Sequence, residues 1–532
     1  MNIMKNIYKN IMKTKYGLAI LLALIFSVSS CDKGFEEINI NPISPAAIDP
    51  VYQLVDAQRL GYDHWHYEAE IAQQVNILIG GQEEGGGRNS VNLGNMTRPW
   101  DSFYPNQIKN TVNIIHLLKD KPERSNLYNM ARIMKALAFQ TLVDTYGDVP
   151  YFDAGKAYIA GINLPKYDPA EDIYTDLVKE LTEAVDALDA SKDLVKGEMY
   201  FAGDIARWKR FGNSLLLRIG MRYTKYDEAK ARTIVATATS ASRGGVMLSN
   251  ADNVVVKYNS VQTSPGTGWA NNSTKYNWYV GKPLIDFYKN NLDPRAQYLT
   301  VRYGAPESAD GGSVRDTVLS RQVGAPFGFT DQNIAANDPN YPGKLGGAFL
   351  YSQFSRQTLG RVDAWMYFLT YSQTSLLMAE ATVRGYISGT PAQTYYEAGI
   401  RANMTQEDMY STVRNGASPI SNSKINAYLA RPNIAYNAAT ALKQINEQYW
   451  ASCVMIWPEA WFNFRRSGYP QLAPLNFPGE DPYVSIANGY DGFIHRLMYT
   501  SRELSANKVN VEEAIERMGG DNFSVRVFWD KR

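Results

Sequence analysis

The sequence predicts a mainly α-helical protein carrying one long loop-rich insertion, and three observations lead there. Apolar residues recur at steps of three and four through much of the chain on either side of residues 244–360. Residues 244–360 themselves are dense in glycine, proline, serine and asparagine, with only short hydrophobic runs. The stretch Gln444 to Pro470 reads as two helices meeting at a tight corner, with Leu442, Ile445, Tyr449, Cys453 and Ile456 along one face. Trp457-Pro458 interrupts it, since proline lacks the amide proton and disfavours a helical residue before it. Pro458 suits the first turn of the next helix, whose apolar face would carry Trp461 and Phe464, and Gly468 with Pro470 forms the stop. A hydrophobic content of 45% and a charged content of 20% fit a globular chain of 532 residues with a large core.

The N-terminus reads as an address. Lys5, Lys9, Lys13 and Lys15 form a basic region, and Leu18 to Phe26 an apolar run too short to span a bilayer. Val28-Ser29-Ser30-Cys31 then resembles the lipobox of bacterial lipoproteins, so residues 1–30 are a signal peptide and Cys31 the acylated residue. Residues 31–50 make a lipidated tether, in which Asp32 to Glu37 resembles an export tag of surface lipoproteins. Removing residues 1–30 takes away four lysines and no acids, so the formal charge moves from +1 to −3. A near-neutral, slightly acidic body argues against nucleic acid as a partner. With Cys31 acylated only Cys453 remains, which excludes an intramolecular disulfide; on an apolar helix face it is a small buried hydrophobe. After residue 31 no apolar run is long enough to cross a membrane.

Taken in order, the pattern is helical from Val51 to Ile79, with Tyr62, His64, Trp65, His66 and Tyr67 crowding its middle. Gly80 to Gly94 is a loop, and helices follow from about Trp100 to Lys119 and Asn126 to Tyr146. Asp168-Pro169 offers an N-cap and first-turn pair for a helix to Leu188. Asp204 caps the next, Ile205 to Tyr223, where Trp208, Phe211, Leu215 and Ile219 share a face. Its arginines, Arg207, Arg210, Arg218 and Arg222, read as stems packed between helices with heads paired to acids. Helical order returns at Trp365 to Gly385, and Thr390-Pro391 starts a partner helix from Ala392 to Met404. A short helix from Val511 to Met518 lies near the end.

Several of these phrases carry a resemblance: Tyr146-Gly-Asp-Val-Pro-Tyr151, the run from Trp208 to Arg222, Asp293-Pro-Arg295, the aromatic corner from Trp450 to Arg466, Arg496 to Asn507, and the terminal Val527 to Asp530. In this order they resemble the SusD/RagB family, nutrient-binding outer-membrane lipoproteins of Bacteroidetes-type bacteria. The resemblance implies an all-α (mainly) fold of tetratricopeptide-like helix pairs forming a curved scaffold. Residues 51–532 would then be one domain, with 244–360 as the insertion that bears the ligand surface. A clean repeat of about 34 residues is not visible in the sequence itself.

No enzyme constellation is present. The chain has no Gly-x-Ser-x-Gly elbow, no phosphate loop ending in Gly-Lys-Ser/Thr, and no His-Glu-x-x-His or paired Cys-x-x-Cys. His64 and His66 near Glu68 and Glu70 would not share a helix face, so no metal site or other cofactor is expected.

A sugar site needs aromatic rings flanked by amide and guanidinium groups. Two loop-rich places offer them: Trp65 with Arg88 and Asn95, and Thr263 to Tyr279 with Trp269, Tyr276 and Trp278. The resemblance implies ligand loops of this character, one early and one in the middle. It also implies the role of a surface lipoprotein that binds a glycan or oligosaccharide and passes it to a SusC-like TonB-dependent transporter. The alternative is a mainly structural, gating lid with little glycan affinity of its own, for a transporter that imports peptides or other cargo. Cys31→Ala should abolish incorporation of a fatty-acid label, and labelling that survives the change would refute the lipid anchor.

Overall fold

Helices dominate the regular structure on both sides of a short-stranded middle segment. The computed structural model describes residues 48–531 except 60–65, 79–84, 264–277 and 309. The signal peptide, Cys31 and the tether up to residue 47 therefore lie outside the described residues. Residues Pro50–Arg532 make up one unit. Its first half contains α1 (Pro50–Arg59), α2 (His66–Ile71), α3 (Lys109–Leu118), α4 (Ser125–Tyr146), α5 (Ala170–Ala187), α6 (Ile205–Arg222) and α7 (Glu228–Thr239). From α3 to α7 each helix packs on the next.

Glycine sets the spacing of α5 and α6: a Cβ at Gly212 would lie 2.5 Å from Val185 Cγ2. Asp204 caps α6 as predicted, its carboxylate accepting from the Arg207 amide at 3.1 Å. The start of α5 differs from expectation. Pro169 occupies the cap, and Asp168 turns away to accept the amides of Tyr151 and Phe152, both at 2.9 Å. Asp148, from the turn after α4, takes the Ala170 amide at 2.8 Å instead.

Two helix predictions are corrected in this half. The pattern from Val51 to Ile79 ends at Ile71; Gln73 takes a positive φ of 54° and the chain becomes strand β1 (Val75–Ile77). The stretch from Trp100 to Lys119 contains Pro105, which cannot donate a helix hydrogen bond. The backbone there widens to a π-helical turn, Phe103–Ile108, before α3 begins.

The middle segment holds most of the sheet structure. A five-stranded sheet has the order β1-β3-β8-β4-β5, formed by β3 (Trp278–Val280), β4 (Thr300–Tyr303), β5 (Arg315–Asp316) and β8 (Gln353–Phe354). Every pairing in it is antiparallel. β2 (Val254–Val256) pairs with β9 (Met366–Leu369), and β6 (Lys344–Leu345) with β7 (Ala348–Phe349). The helix predicted from Trp365 thus begins as a strand, and helix starts only at Tyr371, where Thr370 and Gln373 form a capping box.

α8 (Lys282–Asn291) lies inside this segment, ending at the turn that holds Asp293 and Arg295. The second half continues with α9 (Tyr371–Val383), α10 (Ala392–Met404), α11 (Asn422–Leu429), α12 (Ala441–Ser452), α13 (Trp457–Ser467) and α14 (Lys508–Met518). α9 packs on both α10 and α12, and on α6, which joins the two halves. A Cβ at Gly399 of α10 would meet Leu376 Cγ of α9 at 2.7 Å, so glycine again permits the close approach. The corner between α12 and α13 has Pro458 in the first turn of α13 and Gly468 in the left-handed conformation at its end. Cys453 caps α12 and does not sit on its face, and Phe462 is fully buried where Phe464 is only half so.

The centre of the helical body is an ion network. Arg222 of α6 reaches Asp144 of α4 at 3.0 Å and Glu459 of α13 at 2.7 Å. Tyr449 of α12 donates to the other Glu459 oxygen at 2.8 Å, while Tyr174 of α5 and the Trp529 indole donate to Asp144. Burial alone would raise the Glu459 carboxyl, but Arg222 and Arg218 outweigh it and hold it below the usual carboxylate range. Arg210 pairs with Asp252 at 2.8 Å and Arg207 with Asp204, so the arginines of α6 are paired as predicted. Arg466 grips Glu380 of α9 at 2.6 Å, and its carboxyl is held at about 2 because Arg466 and Arg384 overcome the burial that would raise it. Among the described residues Arg465 has no carboxylate in contact; it lies 4.0 Å from the Trp461 ring centroid and 4.9 Å from that of Trp529.

Asp144→Asn leaves Arg222 with one carboxylate in a dry interior. It should cost about 3–5 kcal/mol of stability in a urea titration. A loss below about 1 kcal/mol would show that the network does not hold these helices.

Candidate functional site

The strands next to the early and the middle loop pair with each other. β1 and β3 are antiparallel neighbours in the register Val75↔Val280 and Ile77↔Trp278. Ile77 ends β1 just before residues 79–84, and Trp278 begins β3 just after residues 264–277. The stems of the early and the middle loop are therefore hydrogen-bonded partners. A second tie joins the chain ahead of residues 60–65 to the chain ahead of residues 264–277: the Tyr258 hydroxyl donates to the carbonyl of Arg59 at 2.8 Å.

The early stem is packed tightly. Glu70 accepts the Ile77 amide at 3.0 Å, which ties α2 to β1. The glycines at 85–87 lie against α2 so closely that a Cβ at Gly86 would fall 2.3 Å from the Tyr67 carbonyl oxygen. Arg88 folds inward, donating to the Leu78 carbonyl at 3.0 Å with its guanidinium 5.6 Å from the Phe477 ring. Asn95, in the short helix Leu93–Met96, accepts from Arg98 at 3.0 Å. Asn89 reaches the C-terminal segment, donating to the Gly492 carbonyl at 3.1 Å and accepting the Asp481 amide at 2.9 Å through its own carbonyl.

Of the residues predicted to bind ligand, Arg88, Asn95 and Trp278 are buried. Trp278 is only 5% exposed and stacks on Trp457 with ring centroids 6.5 Å apart, so its ring is a packing surface between the sheet and α13. Arg88 and Trp278 pack within the stems, and Asn95 is tied to Arg98. Trp65, Trp269 and Tyr276 lie outside the described residues. Sequence reasoning missed the contribution of Phe477, Glu480 and Asp481, which back the early stem from a segment with no periodicity or motif to signal it. Among the described residues no group of histidine, cysteine, aspartate and glutamate could hold a metal ion, and no helix is long and apolar enough to cross a membrane.

Beneath the stem, Glu68 is almost fully buried, and burial pushes its carboxyl up to about 8 despite the opposing pull of Arg98. A folded-state pKa above the unfolded value of 4.5 gives a contribution present below pH 4.5 and lost as pH rises through 8. Glu68→Gln removes that loss. It should melt close to the parent near pH 4.5 and several degrees above it near about pH 9. Parallel melting curves across the whole range would contradict the assignment.

A mainly helical framework is shared with several solved bacterial proteins. A SusD-like protein of Bacteroidetes (AC2a) superimposes with a TM-score of 0.75 at 26% identity, covering 91% of this chain and all of the other. A chitin-binding protein matches with a TM-score of 0.74 at 29% identity and the same coverage of both chains. A chitin-binding SusD homolog from Flavobacterium johnsoniae, at 21% identity, shares the fold with a TM-score of 0.72 over 91% of this chain and 98% of its own. No curated protein matches the sequence. The SusD-like family described as starch-binding and associating with the outer membrane matches residues 60–489, and the chain belongs to it. It is thus a member of a carbohydrate-binding family, with the mainly α-helical fold that the sequence predicts.

Proposed function

We propose that the protein is a cell-surface lipoprotein, anchored through Cys31, that captures a glycan on the loops carried by the β1–β3 stems. It then delivers the glycan to a SusC-like TonB-dependent transporter. The observation that carries this reading is the Ile77↔Trp278 register, because it gives the glycine-rich early loop and the aromatic-bearing middle loop a common root. In this reading Trp65, Trp269 and Tyr276 supply rings for the apolar faces of sugar units, while Arg88, Asn95 and Trp278 hold the stems in place. The protein binds and passes on its ligand without chemical conversion. The matched family and its chitin-binding relatives support a carbohydrate as the cargo class.

Native affinity electrophoresis of residues 32–532 through gels containing starch, chitin-derived or other polysaccharides tests the proposal. One polysaccharide should retard the protein, and a Trp65→Ala/Trp269→Ala variant with an unchanged melting temperature should run free. Unretarded migration in every gel would overturn glycan capture, and retention of binding by the double variant would overturn the site.

A further inference from the structure

Away from the loop stems, α3, α4 and the turn after α4 enclose a cleft of about 370 Å³. Its walls are mainly apolar, with Val112 and Ile115 from α3 facing Phe152, which is 47% exposed at the mouth. The far wall is firmly placed, since Asp168 holds the Tyr151 and Phe152 amides and the Tyr104 hydroxyl holds the Pro150 carbonyl at 2.8 Å.

The floor carries Lys135. Its ammonium lies 4.4 Å from the Tyr151 ring centroid and 6.0 Å from that of Phe139. The acids nearby are committed elsewhere. Arg132 takes Glu180 at 3.0 Å together with Glu183, and the Tyr151 hydroxyl takes Asp176 at 2.7 Å. Lys135 makes no ion pair and no side-chain hydrogen bond with any described residue, and burial lowers its pKa against the pull of Glu180 and Asp176. No acidic residue lines the cleft, whereas Lys119, Lys156 and His116 do. A partly desolvated cation with only ring faces as partners is a costly arrangement, and an incoming anion relieves it.

We propose that this cleft is a second binding site, for a small amphiphilic carboxylate. The carboxylate meets Lys135, and an aromatic or branched aliphatic body lies between Phe152 and the Val112–Ile115 face. The dry walls offer little to the hydroxyls of a sugar, and one embedded cation suits a single negative charge.

Calorimetric titration with 3-phenylpropionate and its uncharged amide tests the site on the lipid-free protein. The carboxylate should bind about tenfold or more tightly than the amide. Lys135→Met, which keeps the apolar stem, should remove that preference, and Phe152→Ala should weaken both ligands. Equal affinity for carboxylate and amide, or no binding of either, would overturn the proposal on the parent protein alone. A carboxylate preference that persists in folded Lys135→Met would overturn the role of this ammonium.

Discussion

The helical body depends on one buried exchange of charge. Asp144 and Glu459 are sealed from water on either side of Arg222, and five helices and the C-terminal segment contribute a partner. Removing three charges from water costs several kcal/mol per ion, and the two ion pairs and the hydroxyl and indole donors around them offset that cost. The network therefore fixes how α4, α5, α6, α12 and α13 stand relative to one another more tightly than apolar packing alone, which tolerates sliding and rotamer change. The pairs Arg466–Glu380 and Arg295–Asp293 repeat the device closer to the second half of the chain.

The same chemistry explains what could be read in advance. The arginine-bearing run of α6, the aromatic corner between α12 and α13 and the Asp-Pro-Arg turn are legible because a buried guanidinium tolerates so few substitutes. Long helices such as α4 and α6 announce themselves by periodicity. The sheet does not: its strands are two to four residues long, too short for an alternating pattern to emerge. The start of α9 was misplaced for a related reason, because the apolar run Met366 to Leu369 suits strand and helix equally and only the cap at Thr370 decides.

The segments proposed for the candidate site could be marked in the sequence, and the packing of their individual side chains could not. Both segments chosen for their aromatic and amide content flank paired strands. The sequence carries no sign that Arg88, Asn95 and Trp278 turn inward, since an arginine or tryptophan near a glycine-rich loop has the same signature whether it faces solvent or core. That division of labour has a physical basis. Stems joined by backbone hydrogen bonds and anchored by buried side chains place few demands on the residues between them, so the loops can change composition while their roots stay put.

The bond between the Trp529 indole and Asp144 spans 385 residues of sequence. The most deeply buried carboxylate of the first half thus lacks one of its donors until almost the last residue of the chain is available. Helices α4 to α6 can form early, but the centre they surround closes only once Trp529 joins them. A chain built this way postpones its final stability until segments far apart in sequence have met.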